Sequence, residues 1–100
     1  MIKIAFTNQF EKDIERCKAR NWDFERYKEA AAYLSTGMSL PKEFKDHPLN
    51  GDWKRHREFH FGPDRLVIYY LHHPPKKKGT EPPDSELTYV RMGSHSDLFR

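Results

Sequence analysis

The run Arg65-Leu66-Val67-Ile68-Tyr69-Tyr70-Leu71 places apolar side chains at both odd and even positions. Successive residues of an extended chain face opposite sides, so such a run needs cover on both faces. It is far too short to span a membrane, which takes about 20 apolar residues. It therefore predicts the central strand of a sheet. Gly62-Pro63-Asp64, just before it, is a turn signal. Ahead of that turn, Trp53–Phe61 alternates, with Trp53, Phe59 and Phe61 on one side and Lys54, His56, Glu58 and His60 on the other. Leu87–Met92 supplies a further strand, and Gly93-Ser94 opens a short helical turn ending at Phe99.

The N-terminal part follows a different period. Ile2–Phe6 alternates as a short strand. Thr7 and Asn8 are capping residues, and Asn8 with Glu11 has the spacing of a capping box. Phe10, Ile14 and Cys17 then recur along one helical face. Asn21 interrupts that helix, and a second begins near Asp23 with Phe24, Tyr27, Ala30, Ala31 and Leu34 on its apolar face. Gly37 is placed to end it in a left-handed conformation. The stretch from Met38 to Asp52, with two prolines and Gly51, predicts an irregular connection, as does the Pro-rich stretch from His72 to Asp84. The order is β-α-α-β-β-β, an α+β fold in which two helices pack on an antiparallel sheet.

At 100 residues the chain predicts a single domain over 1–100 with one thin core. The 14% of aromatic residues argues against disorder. A lone cysteine, Cys17, excludes a disulfide scaffold and fits a reducing compartment. The start Met-Ile-Lys-Ile-Ala-Phe lacks a signal-peptide apolar region, so the expectation is a cytoplasmic protein with no membrane association. The net charge of +3 is spread almost evenly between the halves, which permits binding to a polyanion without announcing it.

Histidine is the informative residue type, because imidazole exchanges protons near neutral pH. Six are present, none before His47. The Gly62-Pro63 turn brings His60 and Asp64 together, His47 enters the same strand, and His95 follows the strand expected beside the central one. Asp64 can orient an imidazole or favour its charged form. Lys54, Arg55, Arg57, Arg65 and Arg91 lie close enough in sequence to hold phosphates. Taken singly, each has an ordinary explanation: His47 as loop surface, Asp64 as a turn residue, His56, His72 and His73 as solvated, Lys76–Lys78 as a charge run. The histidine spacing shows no zinc motif, and no metal or cofactor is expected.

The string from Leu40 to Lys54 (Leu-Pro-Lys-Glu-Phe-Lys-Asp-His-Pro-Leu-Asn-Gly-Asp-Trp-Lys) resembles a signature of the YafQ-like branch of the RelE/ParE superfamily. Arg57, His60, Pro63-Asp64, Leu66–Tyr69 and the ending from Arg91 to Phe99 resemble it too. These are toxins of bacterial type II toxin–antitoxin pairs, and the β-α-α-β-β-β order is that of the RelE-like fold. The resemblance implies a ribosome-dependent endoribonuclease that cleaves mRNA without metal or cofactor and so inhibits translation. It implies catalytic roles for His47, His60, Asp64 and His95, and substrate contacts from Arg57, Arg65, Lys54 and Phe99. Arg57 is the cation expected at the transition-state charge. The implied partners are mRNA on the ribosome and a RelB/DinJ-like antitoxin of ribbon-helix-helix type, with operator DNA reached only through the antitoxin. Arg65 departs from the pattern, standing where the best-known member has tryptophan, and the 72–84 connection is longer than that member's. Two alternatives stay open: a weakly active relative that mainly binds an antitoxin, and an RNase that needs no ribosome.

Overall fold

The computed structural model describes residues 2–75, 77–79 and 84–99. Strand β1 is Ile2–Phe6. Helix α1, Asn8–Ala19, is capped by Thr7, whose hydroxyl accepts the Phe10 N–H at 2.9 Å. Thr7 therefore takes the place that the expected Asn8–Glu11 box would have had. Asn21 has φ 61°, the left-handed conformation that an asparagine tolerates, and there the chain turns back. Asp23 accepts the Glu25 N–H at 2.9 Å and opens α2, Glu25–Ser35. Gly37, φ 77°, ends this helical hairpin as predicted.

Strands β2 (His47–Pro48), β3 (Arg57–Gly62), β4 (Arg65–His72) and β5 (Ser85–Gly93) follow, and α3 (His95–Leu98) closes the described chain. The sheet order is β1-β5-β4-β3-β2, so the doubly apolar run of β4 is central. The sheet is mixed rather than wholly antiparallel, because β1 runs parallel to β5, with Ile2 opposite Ser85 and Phe6 opposite Tyr89. No tight turn joins these strands, so nothing forces them antiparallel. Trp53 is also placed differently from expectation. Gly51–Trp53 is a 3-10 turn, and Arg55, with φ 73°, breaks the extended path before β3 begins.

The two faces of the sheet are filled unequally. Phe59, Phe61, Val67, Tyr69, Leu87, Tyr89 and Met92 face the helices and pack with Phe10, Cys17, Ala30 and Leu34. Leu66 and Ile68 face the other way and make a small core with Leu98, flanked by Leu49, Trp53 and Val90. Trp53 thus covers the face opposite Phe59 and Phe61. Of the expected Lys76–Lys78 run, Lys76 lies outside the described residues, while Lys77 and Lys78 are exposed. Among the described residues no helix is long and apolar enough to cross a membrane.

Candidate active site

Strand alternation decides which side chains share the open face. Glu58 and His60 of β3 lie opposite Ile68 and Leu66 of β4, and His47 of β2 lies opposite Glu58. Residues paired across a ladder project to the same side. His47, Glu58 and His60 therefore stand on the face away from the helical hairpin. α3, just after β5, adds His95, and its C-cap adds Phe99. The rings form a row: His47 to His60 at 6.1 Å, His60 to His95 at 6.1 Å, and His95 to Phe99 at 6.0 Å between centroids.

Asp64 reaches this row because the two-residue turn holds it at φ 51°, a left-handed conformation that aspartate adopts more readily than most residues. Its Oδ1 accepts both the backbone N–H and the Nδ1–H of His95, each at 2.8 Å. The backbone bond first, then the ring bond, holds the Asp64 carboxyl below its ordinary value of 3.8. A carboxylate only accepts, so the ring proton sits on Nδ1 and the Nε2 atom of a neutral His95 is left with a lone pair. The His95 side chain is 59% exposed, which leaves that nitrogen accessible.

His60 is more enclosed. Burial lowers its pKa below the usual 6.5, with His47, His95 and Lys45 acting in the same direction against the pull of Glu58. The charged form of this ring is thus disfavoured. His47 has an acceptor at each nitrogen, Glu58 Oε2 at 2.8 Å from Nε2 and the Pro48 carbonyl at 3.1 Å from Nδ1. The other Glu58 oxygen, Oε1, is buried and unpartnered. His47, Glu58 and His60 offer ligand atoms within 4.8 Å of one another, a donor set suited to a divalent transition metal. Nothing in the metal-ligand spacing of the sequence announced it, because Glu58 meets His47 across a strand pair.

A cleft of about 450 Å³ adjoins the row, lined by Lys45, His60, Asp64, Arg26, Glu43 and the tip of the β3–β4 hairpin. Arg26 is engaged by Glu29 and Glu43 at 2.7 and 3.1 Å. Among the described residues Lys45 makes no such pair.

α3 is anchored from behind. Ser94 and Asp97 form a capping box, and Arg20, the C-cap of α1, grips Asp97 at 2.7 and 3.1 Å. Arg16 reaches the Met92 carbonyl at 2.9 Å. Gly93 permits this closeness, since a Cβ there would lie 2.8 Å from both Arg16 and Asp97. Deeper still, Asp13 is fully buried and accepts from Arg91 at 2.8 Å and the Met92 N–H at 2.9 Å. Burial alone would raise its carboxyl, but Arg91, Met92 and Gln9 hold it below the ordinary 3.8.

The structure thus gathers His47, His60, Asp64, His95 and Phe99, and does not gather the expected cations. Arg57 projects to the helix side of β3, where its Nε meets Asp46 at 3.2 Å beside Tyr69. Arg65 lies over the Trp22 ring, 5.0 Å from its centroid. Lys54 caps the 3-10 turn beside His56, whose Nδ1 meets its carbonyl at 3.2 Å. Sequence reasoning missed Glu58 and Lys45 as members of the site. The signal for Glu58 was its shared face with His60, while Lys45 sits in a left-handed turn, φ 51°, that no local pattern marks.

Comparison with known proteins identifies the family and its fold. The family model for the bacterial toxin of type II toxin–antitoxin systems, YafQ, matches residues 2–100. The mRNA interferase toxin YafQ of Escherichia coli K12 is 33% identical over 97 residues, covering 96% of this chain and 94% of that one. The crystal structure of YafQ from E. coli BL21(DE3) superimposes with a TM-score of 0.82 at 31% identity over the whole of both chains. YafQ in the E. coli DinJ–YafQ complex gives 0.80 at 32%, again over the whole of both chains. With its α+β, RelE-like fold, this chain belongs to the YafQ family of bacterial type II toxin–antitoxin toxins.

Proposed function

We propose that the protein is an endoribonuclease that cleaves mRNA on the ribosome by acid–base catalysis. The 2′-hydroxyl attacks the adjacent phosphorus, forming a P–O bond as the bond to the 5′ oxygen breaks. The products are a 2′,3′-cyclic phosphate and a 5′-hydroxyl. One proton leaves the 2′ oxygen and one reaches the 5′ oxygen, so the step needs a base and an acid. The observation that supports this reading best is the Asp64–His95 pair, which fixes one ring nitrogen at 2.8 Å and leaves the other exposed. His95 takes the leading proton-transfer role. His60, whose charged form burial disfavours, is the ring suited to accept the 2′ proton, and His95 hands the other proton to the 5′ oxygen. His47, steadied by Glu58, contacts the phosphate or transfers a second proton. Lys45, in the cleft wall, is better placed than Arg57 for the transition-state charge. Phe99, 40% exposed, offers a face on which a base can stack.

By the same family reading, the partner is a DinJ-like antitoxin with a ribbon-helix-helix domain, operator DNA is reached through it, and the toxin acts in the cytoplasm. The test is expression with and without the adjacent antitoxin frame, followed by mapping of mRNA 5′ ends. Wild type should arrest growth and produce new 5′-hydroxyl ends, and His95→Ala should lose both by about 10²-fold or more. Full cleavage by His95→Ala would remove the assignment. Equal cutting of naked and ribosome-bound mRNA would replace the ribosome-dependent reading with a free RNase.

A further inference from the structure

The open face of the sheet does not end at the catalytic row. Continuing the β3–β4 register beyond Glu58 opposite Ile68 brings His56 beside Tyr70, and their rings lie 5.3 Å apart. Trp53 meets His56 edge-on at 5.4 Å, and Tyr70 stacks on His72 at 6.0 Å with planes 12° apart. All four rings are half-buried: each is fixed by its neighbour and still presents surface to solvent. Leu66, Ile68, Tyr70 and His72 alternate on one side of β4, so this strip lies on the same face as His60. Four residues of strand separate Tyr70 from Leu66, the residue opposite His60, or roughly 13 Å.

The strip is also edged with positive charge. Lys54 and Arg55 are exposed beside Trp53, and neither has an ion-pair partner among the described residues. Arg55 is held at φ 73°, an uncommon conformation for an arginine. At the far end, Glu86 lies opposite His72 and is exposed, so a carboxylate marks the limit of the strip. Rows of ring faces with free cations alongside are how proteins follow single-stranded nucleic acid without reading its sequence.

We infer that the strip Trp53–His56–Tyr70–His72, with Lys54 and Arg55, is a stacking track for the substrate RNA strand as it leaves the cleavage site. The track rests on the nuclease reading above, and it supplies affinity rather than chemistry. It also gives a role to His56 and His72, which lie outside the catalytic row.

The test is fluorescence anisotropy with the full chain carrying His95→Ala, using labelled oligouridylates. One is short enough to fill only the catalytic row, and the other is about twelve nucleotides long. The longer probe should bind more tightly. Tyr70→Ala and His72→Ala should each cost it about fivefold or more, leave the short probe unchanged, and be rescued at position 70 by Tyr70→Phe. His72→Ala, at the end of β4, keeps the test standing if Tyr70→Ala unfolds the small core. Unchanged affinity for the long probe in a folded variant would overturn the track. An equal loss of binding to inorganic polyphosphate, which has no bases, would overturn it too. If His95→Ala still cleaves mRNA, the acid–base assignment falls, while anisotropy on a 2′-O-methyl version of the long probe still reads the track.

Discussion

The two faces of this sheet are built from similar residue types and put to opposite uses. On the helix side, Phe10, Tyr27, Phe61 and Tyr89 interlock with ring centroids about 5.4 to 6.2 Å apart, and Phe59 packs on Tyr69 at 5.9 Å. The buried aspartate Asp13 spends its oxygens on Arg91, Arg16, Gln9 and the Met92 N–H. On the open side, rings at much the same spacing are exposed or only half-buried, and the aspartate there, Asp64, keeps a partner whose far nitrogen is free. The lesson concerns where a polar group ends. An acid whose bonds all close inside the protein holds the fold together, and one that terminates on an exposed imidazole can move protons.

The sharpest way to break this contrast is to remove the acid from each face in turn. Asp13→Ala leaves Arg91 and the Met92 N–H without their acceptor in a buried site, and should cost about 3–5 kcal/mol of unfolding free energy. Asp64→Asn, which keeps a residue type that tolerates φ 51° and an oxygen for the His95 N–H, should leave the denaturant midpoint nearly unchanged while slowing cleavage. Urea titration of both variants beside a cleavage assay checks the pair. Equal losses of stability would erase the distinction.

A smaller effect tests the joint between the faces. Gly93→Ala forces a Cβ against Asp97 and Arg16, both 2.8 Å away, and should cost about 1–3 kcal/mol. Because α3 must shift to make room, cleavage should fall further than stability alone explains, and the His95 ring resonances should move in NMR spectra. If those resonances stay put, α3 is not positioned through Gly93.

The smallest expected effect is a slope with pH. His60 has a folded pKa below its unfolded value of 6.5, chiefly through burial. As pH falls past 6.5 the unfolded chain takes up this proton first, so stability declines until pH drops below the folded value. His60→Gln should flatten that part of the stability curve, as read by urea midpoints across the range. An unchanged slope would mean that His60 is not the group responsible.

The architecture was largely legible because its signals are local. The doubly apolar β4 demanded the centre of a sheet, and Asn21 and Gly37 marked the ends of two helices by backbone conformations their residue types tolerate. What stayed hidden was non-local. The parallel pairing of β1 depends on which strand arrives beside it, and the Thr7 cap won over Asn8 by geometry at the strand–helix joint. Trp53 left its strand because Arg55 takes a left-handed turn that no sequence rule assigns to arginine. At the site, the histidines and Asp64 were readable as a joint pattern. The cations were not, because Arg57 and Arg65 are claimed by Asp46 and Trp22, partners distant in sequence.

The β1–β5 pairing bears on how such a chain comes into being. Ile2 waits for Ser85, and Phe6 for Tyr89, before the sheet can close along that edge. The same late segment carries His95 and the Asp97 that ties α3 to Arg20. Contacts of such long range form slowly and only after the intervening chain exists, since domains assemble as their sequence is synthesised. A growing chain lacking its last quarter therefore has neither a finished sheet nor the Asp64–His95 pair. Synthesis itself acts as a timer, since the face that carries His60, Asp64 and His95 is assembled only once β5 and α3 have been made.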